Sequence, residues 1–255
     1  MKFNFSKYLF SLFLGIALFS CVSNTHITSV EKSVIPLTEK FPSEEKYFDS
    51  IISPYKMAID KEMNEILIYS ETPLIKGQPE SLLGNFTSDL ILKKANEYYH
   101  SSDNKKIDIC LLNNGGLRNS LPQGNITVEK VFELMPFENE IVILTLSGEK
   151  TLALFNFLAS VDGMPVAGIK MGIKEKKATN ILINNIPFDI NSQYKVITSD
   201  YLGGGGDKMN FFREPLKNEP LKKKLRDVII EYMREENQKG NKLDIKKDGR
   251  IYYEQ

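Results

Sequence analysis

Apolar positions along the chain recur with two periods. Tyr47, Ile51, Ile52, Tyr55 and Ile59 fall at helical spacing and predict a helix over 45–63. A second helix is expected over 80–99, with Leu82, Leu83, Phe86, Leu90 and Ile91 on its apolar side. Short apolar runs at 65–70, 107–112, 141–146, 169–173, 180–183 and 194–198 read as strands. Short helices fit 128–135, opened by Thr127, and 149–160, opened by Ser147 and Gly148. The last long pattern, from Glu219 to Asn237, reads as a helix with Pro220 tolerated in its first turn. Strands and helices alternate irregularly, and several strands are adjacent. That order predicts an α+β fold, a mixed β-sheet domain with flanking helices, rather than a doubly wound parallel sheet.

The beginning of the chain belongs to neither pattern. Lys2 and Lys7 precede an uncharged apolar run, Leu9 to Phe19, that is too short to span a bilayer. Residues 1–20 therefore read as a secretory signal. Leu18-Phe19-Ser20-Cys21 resembles a bacterial lipobox, which implies cleavage before Cys21 and lipidation of its thiol. A plain signal peptide with an incidental Cys21 is the other reading. Residues 21–45 are polar and without period, as a tether between lipid and domain would be, and 46–255 form the domain. The chain is expected at the bacterial cell envelope, facing the periplasm or the outer-membrane surface.

Composition narrows the chemistry. Of 255 residues 42% are hydrophobic and 26% charged, enough for an ordinary globular core. The 33 basic and 33 acidic residues balance, so no nucleic acid polymer is implied as a partner. Loss of Lys2 and Lys7 with the signal leaves 31 against 33, a net charge of −2. Two cysteines and two histidines are too few for a disulfide scaffold or a multi-histidine metal site. Cys110, within an apolar run, reads as a small buried hydrophobe.

Three loops carry candidate chemistry. Asn113-Asn114-Gly115-Gly116-Leu117-Arg118 follows the strand at 107–112; its paired glycines let a ligand approach the backbone, and its amides and guanidinium converge at a strand end. Taken alone, it is equally a simple turn with a surface arginine. Phe137 and Asn139 follow Pro136, where an exposed ring beside an amide suits stacking on a planar ligand. A proline-terminated helix with a buried phenylalanine gives the same pattern. Tyr201 precedes four consecutive glycines closed by Asp207, a carboxylate able to accept two hydrogen bonds from a vicinal diol. A flexible surface loop with a chance aspartate also fits, whereas a phosphate-cradling loop does not.

In this order and spacing the loops resemble the C-terminal domain of the 5'-nucleotidase family, which carries N-x-G-G-[IL]-R, then P-F-x-N, then an aromatic six residues before the aspartate of G-G-D. Glu80-x-x-x-Gly84-Asn85 with Asp89, and the L-S-G-E stretch at 146–149, are supporting matches. The resemblance covers about residues 50–255. It implies a nucleoside or nucleotide ligand whose base is sandwiched by Phe137 and Tyr201, tyrosine standing where phenylalanine is commoner. Asp207 is then expected to hold the ribose hydroxyls. Asn113, Gly116 and Arg118 would meet the ribose and the polar edge of the ligand, while Asn139 and the backbone near Gly163 would shape the base pocket. Base preference stays open, since stacking tolerates any ring.

Two departures concern phosphate. Only Lys76 stands ahead of the Glu80 motif, where the family often places arginines, and G-G-D-G-[FY] becomes Gly206-Asp207-Lys208-Met209. In full-length relatives hydrolysis belongs to a two-metal phosphatase domain with D-x-H, G-N-H-[DE] and G-H-x-H fingerprints; these are missing from the 255 residues. No cofactor is therefore expected in this chain, and divalent metals are expected on a partner. The favoured expectation is the substrate-binding half of a nucleotide-hydrolysing system, working with a separately encoded metallophosphatase. The alternatives are a stand-alone nucleoside-binding lipoprotein and a degenerate structural domain.

Overall fold

The computed structural model describes residues 27–33, 45–101 and 103–254. The proposed signal, Cys21 and most of the tether lie outside the described residues. The elements in chain order are α1 (Glu45–Met63), β1 (Ile66–Ser70), α2 (Leu82–Tyr98), β2 (Ile109–Leu111), β3 (Gly124–Thr127), α3 (Val128–Leu134), β4 (Glu140–Ser147), α4 (Gly148–Ser160), β5 (Val166–Ala167), β6 (Ile169–Lys174), β7 (Lys177–Ile183), β8 (Ile186–Pro187), β9 (Gln193–Ser199), the single turn α5 (Asp200–Gly203), β10 (Lys217–Lys224), α6 (Leu225–Gln238) and β11 (Ile251–Tyr253). The following concerns the compact unit formed by residues 50–255.

Period-two alternation in the central strands sorts side chains onto two faces of a five-stranded sheet, ordered β10-β4-β9-β2-β5. Cys110, Ile141, Ile143 and Ile197 join one core with α2, α3 and α6; Ile109, Leu111, Val142, Leu144 and Val196 join another with α4 and β6. The β2–β9 pair is parallel and the other pairs of this sheet are antiparallel. A second sheet, β11-β6-β7-β8, includes a parallel β11–β6 pair, and β1 pairs with β3. The expected mixed-sheet α+β architecture is therefore what the chain adopts. Burial on both sides raises the pKa of the Cys110 thiol well above its ordinary value.

One expectation is corrected here. Glu219 to Asn237 is not one helix: Lys217–Lys224 is edge strand β10, and the helix begins at Leu225. Pro220 has no N–H to donate, which an edge strand tolerates, and it pairs with Val142 across β4. Leu225 opens the helix because its amide donates to the Asn139 carbonyl at 3.0 Å, a partner invisible in local sequence. The expected helix over 45–63 forms as α1, and Ile51, Ile52, Tyr55 and Ile59 on its apolar stripe are exposed.

The motif Glu80-x-x-x-Gly84-Asn85 with Asp89 has a structural use. Ser81 caps α2, accepting from the Gly84 amide at 3.0 Å. Buried Glu80 accepts from the amides of Asp248 (2.7 Å) and Gly249 (2.9 Å), and from the Asn85 side chain at 2.6 Å. Asp89 takes the Arg250 guanidinium in a bidentate pair at 2.7 and 2.9 Å. These bonds clasp the segment that leads into β11, so the start of α2 holds the end of the domain in place.

Candidate functional site

Strand pairing brings the three loops together. Cys110 pairs with Ile197 in the parallel β2–β9 ladder, so the chain leaves both strands at the same edge. Ile141 pairs with Ser199 in the antiparallel β4–β9 ladder, so β4 begins where β9 ends. Residues 113–118, 136–139 and 200–207 consequently meet over one sheet edge, around a cavity of about 390 Å³. This is where open sheets with parallel strands commonly place a ligand.

Asn113, Gly116, Arg118, Phe137, Asn139, Tyr201 and Asp207 all line the cavity. Leu112, Met135 and Leu225 supply apolar wall that the motifs did not indicate. The first two adjoin the motifs, and Leu225 comes from the segment whose helix start is corrected above. Gly163 is not brought to the cavity. Its amide donates to the Leu158 carbonyl at 2.8 Å at the end of α4, and its φ is +94°. A Cβ built there would stand 2.1 Å from the Pro79 carbonyl oxygen, so Gly163 serves close packing of two loops. Lys76, the one basic residue expected near a phosphate, donates to the Leu117 carbonyl at 3.0 Å and is not part of the lining.

Each loop is held from behind. Pro136 ends α3, and Glu138 beside it pairs with Lys224 and Arg226. Arg226 also donates to the Pro136 carbonyl at 3.3 Å. With its neighbours so tied, the Phe137 ring is left 43% exposed, its centroid 5.9 Å from the Arg118 guanidinium. Ser199 caps the turn that carries Tyr201, accepting from the Leu202 amide at 3.2 Å, and Tyr201 is 52% exposed. Asp207 Oδ2 accepts from Asn113 Nδ2 at 2.6 Å, and Oδ1 accepts from the Tyr201 hydroxyl at 2.8 Å. The Asp207 carboxylate raises the pKa of the Tyr201 phenol by accepting its proton in that bond.

The arrangement offers two aromatic faces, a carboxylate and a guanidinium around a largely apolar floor. That set stacks a planar ring and accepts bonds from neighbouring hydroxyls. Among the described residues no group of three or more His, Cys, Asp and Glu could hold a metal ion.

The Glu138 pair predicts an acid-sensitive site wall. Its hydrogen bonds to Lys224 first, then Arg226, lower the Glu138 pKa to about 2. The depressed carboxyl contributes stability that is present above its ordinary pKa near 4.5. That contribution is lost as pH falls through about 2. Glu138→Gln is expected to flatten this part of the acid dependence, read from urea midpoints between pH 6 and 2. An unchanged slope would remove Glu138 from the account.

Residues 70–214 match the family model described as 5'-nucleotidase, C-terminal domain. The chain is 28% identical over 244 residues to the trifunctional nucleotide phosphoesterase protein YfkN of Bacillus subtilis, covering 86% of this chain and 16% of that protein. It is 34% identical over 107 residues to a 5'-nucleotidase of Vibrio parahaemolyticus, covering 40% of this chain and 19% of that protein. The fold matches that of a 5'-nucleotidase precursor from Thermus thermophilus with a TM-score of 0.68 at 22% identity, over 82% of this chain and 43% of the other. The chain thus spans less than half the length of each of these relatives.

Proposed function

The chain belongs to the family of 5'-nucleotidase C-terminal domains, and from that premise we propose that it is the nucleoside-recognising half of a system that hydrolyses extracellular nucleotides. The observation that carries the reading is the convergence of Phe137, Tyr201 and Asp207 on one cavity. The two rings take the faces of a base, each such contact contributing about 1–3 kcal/mol in comparable stacks. Asp207 takes the sugar hydroxyls, and Arg118 with Asn139 reads polar edges. Recognition therefore rests on base and sugar, with Arg118 the one cation among the described residues that line the cavity.

Phosphate cleavage falls to a metallophosphatase domain, which we place on a separately encoded chain that docks over this cavity. Divalent metals belong to that partner. Cys21, lipidated after removal of residues 1–20, would hold the assembly at the bacterial cell envelope.

Titration calorimetry of the full chain in detergent, with adenosine and with AMP in Mn²⁺ buffer, tests the reading. Saturable heat with both ligands and no release of phosphate from AMP is expected. Absence of heat overturns the nucleoside site, and sustained phosphate release overturns the division of labour.

A further inference from the structure

Asp207 sits at the end of four consecutive glycines, exposed, with a φ of 51°. A carboxylate on such a loop would ordinarily have many orientations to give up when a ligand binds. Here it has few. One oxygen is held by Asn113 at 2.6 Å and the other by the Tyr201 hydroxyl at 2.8 Å. The Tyr201 ring in turn rests on Gly206, where a Cβ would come within 2.6 Å of the ring carbons. Ring, hydroxyl and carboxylate therefore form one closed unit, fastened to the loop after β2. An ionised carboxylate accepts about four hydrogen bonds. With one taken on each oxygen, each retains capacity for another, the number that two adjacent hydroxyls supply.

We propose that the Tyr201 hydroxyl is a positioning group for sugar selectivity: by fixing the Asp207 carboxylate before a ligand arrives, it makes the cavity favour nucleosides with a free 2',3'-diol. The inference rests on the nucleoside reading above, in which Asp207 meets the sugar hydroxyls, and adds to it the group that positions that carboxylate. A phenylalanine at this position would stack equally well and leave Asp207 with one anchor. The two roles the hydroxyl could play differ in sign. Were the hydroxyl to occupy the place the diol needs, removing it would tighten ribonucleoside binding; as an anchor, removing it loosens that binding.

The test compares adenosine with 2',3'-dideoxyadenosine on the full chain, native and Tyr201→Phe. The native chain is expected to prefer adenosine. Tyr201→Phe is expected to shrink that preference by about three- to tenfold, the scale of one net hydrogen bond. A preference that is absent in the native chain, unchanged in the variant, or increased by it overturns the inference while leaving the nucleoside site intact. Failure of the native chain to bind either compound overturns the nucleoside reading and this inference together. A ligand-free measurement checks the contact itself. Asp207→Asn should lower the Tyr201 phenol pKa, followed by NMR of labelled tyrosine, and an unmoved phenol removes the anchor.

Discussion

Phe137→Ala is expected to weaken adenosine binding by about 1–3 kcal/mol, a five- to more than hundredfold rise in Kd. The ring lines the cavity and is 43% exposed, so its loss leaves no large void in either core. The loop beneath it is held by Glu138, Lys224 and Arg226, not by the ring. The variant should accordingly unfold within about 0.5 kcal/mol of the native chain, as surface substitutions usually do. Phe137→Leu keeps bulk but loses the flat face and should fall close to the alanine variant. Calorimetry on both, with urea midpoints as the control for folding, checks the assignment. A folded alanine variant with native affinity would take Phe137 out of the site.

Gly163→Ala has the larger expected effect, and on stability. The left-handed φ of +94° disfavours any side chain by about 1–2 kcal/mol. The added Cβ would also meet the Pro79 carbonyl oxygen at 2.1 Å, a backbone atom that yields only if the loop shifts. Overpacking of this kind typically adds about 1–3 kcal/mol. A total near 3 kcal/mol should appear as a lower urea midpoint at unchanged m-value. Pro79 precedes Glu80, so the shift also pulls on the clasp around Asp248 and Gly249. Adenosine affinity of the folded fraction should stay native, because Gly163 packs loops away from the cavity lining. A midpoint equal to the native one would falsify this account of Gly163.

What could be read from sequence follows the range of the forces involved. Thr127 and Ser147 cap helices through amides three residues on, so those starts were legible locally. Strands β2, β4 and β9 of the central sheet were legible from their apolar runs. The convergence of Asn113, Phe137, Tyr201 and Asp207 was legible through resemblance alone. Its physical cause, the shared edge of β2, β4 and β9, is a matter of pairing across many residues. β10 was missed because Lys217–Lys224 is polar and charged, and only its partner β4 makes it a strand. The resemblance alone put the backbone near Gly163 in the base pocket, and nothing in its sequence neighbours announces its packing against Pro79. Glu80, Asn85 and Asp89 form a motif whose mechanism is not local, since Asp248 and Arg250 lie 168 and 161 residues beyond Glu80 and Asp89.

That separation also has a meaning in time. Glu80 leaves the ribosome 168 residues before the Asp248 amide it accepts from. At roughly 5–20 residues per second the interval is about 8–34 s. Throughout it the residue just ahead of the Ser81 cap of α2 is a carboxylate destined for burial but still without its final backbone donors, a state that favours staying in water over docking. A polypeptide interrupted before Asp248, or trimmed back to that point by a carboxypeptidase, would remain in that state permanently. Synthesis through Gly249 is thereby a condition for satisfying a buried group near the beginning of the domain.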